Sequence, residues 1–191
     1  FIKSRFEGFS NKEIADKLAD GASKLIVGDP LDEKTECGPL IRPAEVERVA
    51  QWVSESRGEI LCGGKKLSET TYSPTVIFNP GKKDKVSVDE IFGPVMCVYS
   101  YDDIAEAISE ANSLPFAFQA SVFTKNLDVA FQAVQALDAA AVMVNDHTAF
   151  RVDWMPFAGR RESGYGVGGI GYTMHDMTQE KLAVINTKSQ N

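Results

Sequence analysis

The sequence contains few of the residues that form disulfides or bind metals. Its 191 residues include three cysteines, Cys37, Cys62 and Cys97, and two histidines, His147 and His175. The cysteines are odd in number and widely spaced without a CxxC pair, and neither histidine has a second ligand at helical spacing. The sequence therefore argues against a disulfide framework and a metal site. It favours a reducing, cytoplasmic compartment.

Long hydrophobic runs and an excess of positive charge are also missing. The longest apolar runs are far shorter than the roughly 20 residues that a membrane helix needs, and the mean hydropathy is −0.17. Lys and Arg number 20 against 27 Asp and Glu, which gives a net charge of −7. Such a chain repels phosphate backbones. We therefore expect no membrane and no nucleic acid among its partners.

Helical and extended patterns alternate along the chain. Hydrophobic residues make up 43% of the sequence, which suffices for one large domain or for one domain with a short appendage. Apolar residues at helical spacing, with a capping box at Ser10 and Glu13, predict helices; these cover about residues 11–26, 43–57, 103–111 and 127–137. Short β-rich runs between them predict strands at 59–62, 75–78, 95–101, 118–123 and 140–145. This alternation predicts an α/β sandwich with a largely parallel sheet.

The last third of the chain differs in character. Residues 146–171 show no convincing periodicity but hold aromatics, arginines and glycines, and a loop of this length is usually functional. Its glycines match G-x-G-x-x-G twice, but RRES precedes them instead of an apolar strand. We therefore predict a tight turn there and not a phosphate cradle. Residues 181–185, KLAVI, predict a terminal strand that reaches into another sheet.

One short stretch, SVDEIFGP at residues 87–94, combines an acid, an aromatic and a turn. Taken alone, it predicts a solvated carboxylate at Glu90, a core phenylalanine at Phe92 and a turn at Gly93 and Pro94. The rest of the chain changes this interpretation.

Seven motifs in order resemble the aldehyde dehydrogenase superfamily, and together they cover nearly the whole chain. They are VGDPLDEKTECGPLI at 27–41, GG at 63–64, YSPTVI at 72–77, EIFGPV at 90–95, SVFT at 121–124, VND at 144–146 and MPFAGRRESGYG at 155–166. The resemblance implies the family's catalytic-domain fold, a three-layer α/β sandwich with a largely parallel sheet. It would occupy residues 1–178, followed by a C-terminal oligomerisation strand and tail at 179–191.

The resemblance also implies that the chain is a portion of a longer protein. The chain begins FIKSRFEGF, without an initiator methionine, and this resembles the region just past the family's nucleophilic cysteine. The nucleotide-binding domain and the general-base glutamate lie upstream in that family. We therefore expect no catalytic residue in this fragment, which alone should be inactive, and we interpret its three cysteines as small core residues.

Site residues carried over from the family position the cofactor and the substrate. Glu90 would accept hydrogen bonds from the nicotinamide ribose of NAD or NADP, and Phe92 would be a wall beside the nicotinamide ring. His147, Phe150, Arg151 and Phe157 would shape the entrance for a small aldehyde, and Asn145 would brace that loop. Arg151 would suit an aldehyde with an anionic group, although a solvated surface arginine is the alternative.

The implied parent is an NAD(P)-dependent aldehyde dehydrogenase that oxidises an aldehyde to a carboxylic acid and forms a homo-oligomer through the C-terminal strand. Two alternatives stay open at this point. One is a non-catalytic module that dimerises through its terminal strand, and the other is part of an acyl-phosphate or acyl-CoA reductase of the same fold.

Overall fold

A computed structural model describes residues 2–4 and 10–187. Most of the FIKSRFEGF motif and the end of the C-terminal tail lie outside the described residues. The chain divides into two compact units, Phe1–Ser109 and Glu110–Asn191, and each is described separately below.

The first unit is built on a four-stranded sheet. Its elements are β1 (Ile2–Ser4), α1 (Asn11–Ser23), α2 (Pro43–Glu55), β2 (Glu59–Cys62), β3 (Thr75–Phe78), α3 (Lys85–Val88), β4 (Val95–Ser100) and α4 (Ile104–Ala111), which runs past the unit boundary. The strand order is β1-β4-β3-β2. Strands β1 and β3 run parallel to β4, whereas β2 pairs antiparallel with β3. The expected parallel sheet therefore carries an antiparallel edge strand.

Helices α1 and α2 cover opposite faces of this sheet. Successive side chains of a strand point to opposite faces. Accordingly, Val76 and Val98 pack against the alanines of α1, whereas Ile77 and Cys97 pack against the valines of α2. Both clusters are buried. For the chain as a whole, the three-layer arrangement stays a prediction.

Helix α1 begins as the sequence predicts. Ser10 Oγ accepts a hydrogen bond from the Glu13 backbone N–H at 3.2 Å, and the Ser10 N–H donates to Glu13 Oε2 at 2.6 Å. These two bonds satisfy donors that the first helical turn leaves unpaired, so the capping box is confirmed. The helix ends at Ser23, three residues before the predicted end at 26.

The second unit contains shorter elements. They are β5 (Phe116–Ala117), β6 (Gln119–Val122), α5 (Leu127–Ala136), β7 (Ala141–Val144), β8 (Phe157–Ala158), β9 (Arg160–Arg161), β10 (Val167–Gly168) and α6 (Ile170–Asp176). Strands β6 and β7 are parallel, and two antiparallel pairs join β5 to β9 and β8 to β10. The predicted strand at 118–123 forms as β6 and pairs with β7, whereas the short strand β5 before it, which pairs with β9, was not predicted.

The segment at 146–171 is more structured than the sequence predicts. It holds β8, β9 and β10, and α6 begins at Ile170, directly after the glycines. Gly166 and Gly169 have φ of 73° and 114°, conformations that favour glycine, so the predicted turn is confirmed. A two-arginine strand precedes the glycines instead of a buried apolar strand.

The predicted strand at 181–185 does not form within the described chain. Residues 178–187 belong to no helix or strand, and Leu182 and Ile185 are 88% and 83% exposed. A strand that forms by pairing with another subunit stays a prediction. Among the described residues, no helix has both the length and the apolar character needed to cross a membrane.

Candidate functional site

An open groove of about 730 Å³ lies on the first unit, and the EIFGP stretch forms one of its walls. The other walls are the turn at residues 37–41 and one face of α2. Glu90 and Phe92 both line this groove. The structure thus brings together the two residues that the sequence analysis selected for cofactor binding. We call residues 90–94, between α3 and β4, the clamp loop.

Glu90 presents an available carboxylate to the groove. Its side chain is exposed, and no described residue forms a hydrogen bond or an ion pair with it. An ionised carboxylate has acceptor capacity for several donors. Glu90 can therefore accept hydrogen bonds from a ligand without breaking any contact within the described protein.

Phe92 is not the core phenylalanine that the isolated stretch predicts. It is 81% exposed, and its φ of 46° lies in the left-handed region, where a residue with a Cβ is destabilised by about 1–2 kcal/mol. Strained residues of this kind cluster at functional sites. A Cβ added to the adjacent Gly93 would lie 2.9 Å from Val49 Cγ2. The close approach of the clamp loop to α2 therefore requires a glycine at this position.

Arg48 of α2 is a groove residue that the sequence analysis missed. Its Nη2 donates to the Ile91 carbonyl at 2.5 Å, and its Nε donates to Glu45 Oε2 at 2.6 Å. The guanidinium carbon lies 4.4 Å from the centre of the Trp52 ring. Hydrogen bonds from Arg48 and then Arg42 hold the pKa of Glu45 below its ordinary value. The i, i+3, i+7 spacing of Glu45, Arg48 and Trp52 signals a shared helix face, but nothing in the sequence points to Ile91.

The four residues predicted at the substrate entrance all lie in the second unit. Arg151 and Phe157 are brought together: the guanidinium carbon lies 4.6 Å from the Phe157 ring centre, and Arg151 Nη1 donates to the Pro156 carbonyl at 3.3 Å. Phe157 also meets Phe118 edge to face, with ring centres 5.1 Å apart. These contacts fix the guanidinium over an aromatic face while leaving other N–H groups for a ligand.

His147 and Phe150 are close along the backbone but exposed. The Phe150 N–H donates to the His147 carbonyl at 3.2 Å, and the His147 side chain is 71% exposed. Asn145, with φ of 57°, accepts from the Thr124 N–H at 2.8 Å and donates to the Thr124 carbonyl at 2.9 Å. The Asn145 side chain therefore ties the end of β7 to the Thr124 backbone, and the prediction that it braces the backbone of the 146–157 loop stays a prediction.

The three cysteines are free thiols in different surroundings. Cys97 is 5% exposed, and burial raises the pKa of its thiol to about 11, which makes it a poor nucleophile. The interpretation as a core residue is confirmed for Cys97. Cys62 is half-buried and packs against the α1 core cluster, in line with that interpretation. Cys37 is half-buried and lines the groove instead of a core, so the interpretation was wrong for Cys37.

Comparison with known proteins places these residues in a family context. The family model described as the aldehyde dehydrogenase family matches residues 9–183. The chain is 40% identical over 173 residues to a 3-sulfolactaldehyde dehydrogenase of Priestia aryabhattai, covering 89% of this chain and 36% of that protein. It is 39% identical over 172 residues to a lactaldehyde dehydrogenase of Methanococcus maripaludis, covering 88% and 37%. The chain thus spans little more than a third of the length of these relatives.

Solved structures of aldehyde dehydrogenases also resemble this chain, again over little more than a third of their own length. Aldehyde dehydrogenase 21 of Physcomitrella patens, in complex with the reaction product succinate, has a TM-score of 0.83 at 34% identity over 87% of this chain and 35% of that chain. A glyceraldehyde-3-phosphate dehydrogenase of Methanocaldococcus jannaschii complexed with NADP has a TM-score of 0.80 at 31% identity, covering 87% and 36%. An aldehyde dehydrogenase of Bacillus cereus in an NAD+ complex has a TM-score of 0.82 at 28% identity, covering 93% and 37%.

Proposed function

Because this chain belongs to the aldehyde dehydrogenase family, we propose that it supplies the positioning surfaces of an NAD(P)-dependent enzyme that oxidises a small aldehyde to a carboxylic acid. The observation that carries the proposal is the groove in which Phe92 offers an exposed ring and Glu90 a carboxylate to which no residue of the described chain bonds. The solved relatives that hold NADP or NAD+ support a pyridine nucleotide as the ligand.

The residues of the groove suit the nicotinamide end of such a cofactor, which supplies the hydride acceptor when bound. Glu90 offers two carboxylate oxygens to the vicinal hydroxyls of a ribose, and hydrogen bonds to a charged group are worth about 1.5–3 kcal/mol each. Phe92 limits the movement of a flat ring without competing for its hydrogen bonds. Together they would hold the ring in a reactive orientation.

We place the nucleophile outside this chain. The reaction needs a thiolate that attacks the aldehyde carbonyl carbon, and burial keeps Cys97 protonated. Cys37 and Cys62 each direct the sulfur at a neighbouring carbonyl, of Gly38 and Pro74 respectively, and no described basic side chain forms a hydrogen bond with either one. We therefore expect residues 1–191 alone to show no aldehyde oxidation.

The cofactor role is tested by changing Glu90 to Gln in the complete enzyme that carries this chain. The substitution keeps the size of the side chain but removes the charge, so the ring is held less firmly. We expect hydride transfer to slow by about 10- to 100-fold through loss of alignment. Single-turnover stopped-flow measurement of NAD(P)H formation reports this step directly.

Asp89→Asn is the matched control, because Asp89 is the neighbouring exposed carboxylate and does not line the groove. We expect it to react at the wild-type rate. A Glu90→Gln enzyme that matches wild type in a single turnover would contradict the proposed cofactor role.

We further propose that the loop at 146–157 shapes the substrate entrance and that Arg151 selects an aldehyde with an anionic group. Support comes from the guanidinium held over Phe157 and from relatives named for 3-sulfolactaldehyde or solved with succinate. His147 and Phe150 would complete the entrance. Guanidinium groups recognise carboxylate, sulfonate and phosphate oxygens through paired N–H donors.

The role of Arg151 is tested with two aldehydes of similar length, succinic semialdehyde and butanal. We expect Arg151→Met to lower kcat/KM for the anionic aldehyde by about 10- to 100-fold, the equivalent of one or two charged hydrogen bonds. The neutral aldehyde should react as with wild type, and Arg151→Lys should retain part of the preference. Equal losses for the two aldehydes would assign Arg151 to packing and refute a role in selectivity.

The family resemblance also motivates a proposal about the assembly and location of the enzyme. We propose a cytoplasmic homo-oligomer in which residues 181–185 pair with the sheet of a neighbouring subunit. The exposed side chains of Leu182, Val184 and Ile185 support this arrangement. An extended apolar segment is stabilised when another subunit pairs with its backbone and buries its side chains. The three free thiols suit a reducing compartment.

A further inference from the structure

We infer that Arg48 is a positioning residue that sets the conformation of the clamp loop, and through it the cofactor affinity of the groove. This inference rests on the proposed function of Glu90 and Phe92. Arg48 is 43 residues away from Ile91 in sequence, yet its guanidinium donates to the Ile91 carbonyl at 2.5 Å. Ile91 lies between the two residues that face the groove.

The contact acts on the peptide unit at which the strain of the loop is concentrated. The Ile91 carbonyl and the Phe92 nitrogen belong to one planar peptide group, so fixing the direction of the carbonyl restricts φ of Phe92. That angle is 46°, a conformation that a phenylalanine leaves unless its surroundings hold it. Relaxation to negative φ would rotate this peptide group and move the carbonyl away from Arg48.

Arg48 is itself held in place on α2. Glu45 accepts from Arg48 Nε at 2.6 Å, and the Trp52 ring packs against the guanidinium. The Arg48 and Glu45 side chains are 27% and 18% exposed. Because the guanidinium is planar and rigid, it donates from Nε to Glu45 and from Nη2 to Ile91 at the same time. A lysine ammonium in its place lacks this preorganised geometry.

The Ile91 side chain also packs against the core cluster of α2, so packing and the Arg48 hydrogen bond together hold this part of the loop. The neighbouring contacts are between backbone groups: the Val95 N–H donates to the Gly93 carbonyl, and the Thr75 N–H donates to the Pro94 carbonyl, both at 2.8 Å. They fix the start of β4. Among the described residues, Arg48 is the one side chain that bonds to the backbone of residues 90–93.

The test compares Arg48→Met with Arg42→Met in the complete enzyme. Arg42 also donates to Glu45, at 2.8 Å, but within the described chain it forms no hydrogen bond with the clamp loop, and it does not line the groove. Calorimetric titration with NAD+ and with NADP+ measures the affinity of whichever cofactor wild type prefers. We expect Arg48→Met to raise its Kd about tenfold, with Arg42→Met within twofold of wild type. The aldehyde KM and the urea midpoint should stay unchanged.

A conservative variant guards against a folding defect. Arg48→Lys keeps the charge and much of the stem but cannot bridge Glu45 and Ile91 with one rigid group. We expect a several-fold rise in cofactor Kd with wild-type stability. If both Arg48 variants bind the cofactor as wild type does, the inference is wrong.

A double-mutant cycle separates this inference from the proposed function. In a Glu90→Gln, Phe92→Ala background, Arg48→Met should have no further effect on cofactor Kd, because the groups that it positions are gone. An undiminished effect would show that Arg48 acts independently of the clamp loop and would overturn the inference. If the background variant itself binds the cofactor like wild type, the proposed function fails instead.

Discussion

The thiol of Cys97 shows how one buried group links folding to pH. Its Sγ donates to the Val86 carbonyl at 3.4 Å under α3, and burial raises its pKa to about 11. In the unfolded chain a thiol titrates near pH 8.5. Between those values the unfolded chain loses a proton that the folded protein keeps. The contribution of this group is therefore complete below the unfolded pKa, and it is lost as the pH rises toward 11.

We therefore expect the free energy of unfolding to fall less steeply with pH in Cys97→Ala than in wild type. From pH 7.5 to pH 10, wild type should lose about 1–2 kcal/mol more unfolding free energy than Cys97→Ala loses. Urea unfolding of both proteins at the two pH values measures these losses. All other titrating groups are shared, so they cancel in the comparison. The same pH dependence in the two proteins would mean that Cys97 titrates alike in the folded and unfolded states.

Single residues also mark the limit of what the sequence predicts about the site. The motif EIFGP pointed to Glu90 and Phe92, and the structure places both at one groove. The positive φ of Phe92 could not be predicted, because the carbonyl before it bonds to Arg48, 43 residues away in sequence. Arg48 was missed for the same reason. A long-range hydrogen bond to a backbone carbonyl leaves no local pattern.

At the scale of elements, the sequence predicted the first unit well. Strands β2 and β3 have the predicted bounds, because each is a short apolar run beside clear turn residues. Helix α2 starts at Pro43 as expected. Helix α3, with four residues, was missed, because one turn is too short to show a 3.6-residue period.

In the second unit, several strands could not be predicted from the sequence. Strands β8, β9 and β10 have two residues each, so no alternation can be read from them. Their pairing depends on turns closed by long-range contacts, such as the hydrogen bond from the Ala117 N–H to Ser163 Oγ at 3.0 Å. Arg161, with φ of 54°, also donates from Nη1 to the Asn112 carbonyl at 2.7 Å. The sequence predicted a functional loop there, and only tertiary contacts define its shape.

At the scale of the whole molecule, the C-terminal segment carries apolar side chains that the described chain leaves in solvent. Leu182 is 88% exposed and Val184 is 84% exposed, and in an extended strand both would lie on one face. Each Å² of apolar surface removed from water stabilises the buried state by about 25 cal/mol, so packing against another subunit is favourable for this segment. Unpaired backbone groups of residues 181–185 would gain ladder hydrogen bonds in the same step.

We expect Val184→Pro to weaken the oligomer of the complete enzyme, because proline removes a ladder donor in the middle of the strand. The dissociation constant between subunits should rise by at least about tenfold, which corresponds to roughly 1.4 kcal/mol. Sedimentation velocity across a range of protein concentrations measures it. Val184→Thr is the matched control, since it keeps the β-branched shape and the N–H, and it should sediment like wild type. If the proline variant keeps the wild-type distribution of species, residues 181–185 do not form an intersubunit strand.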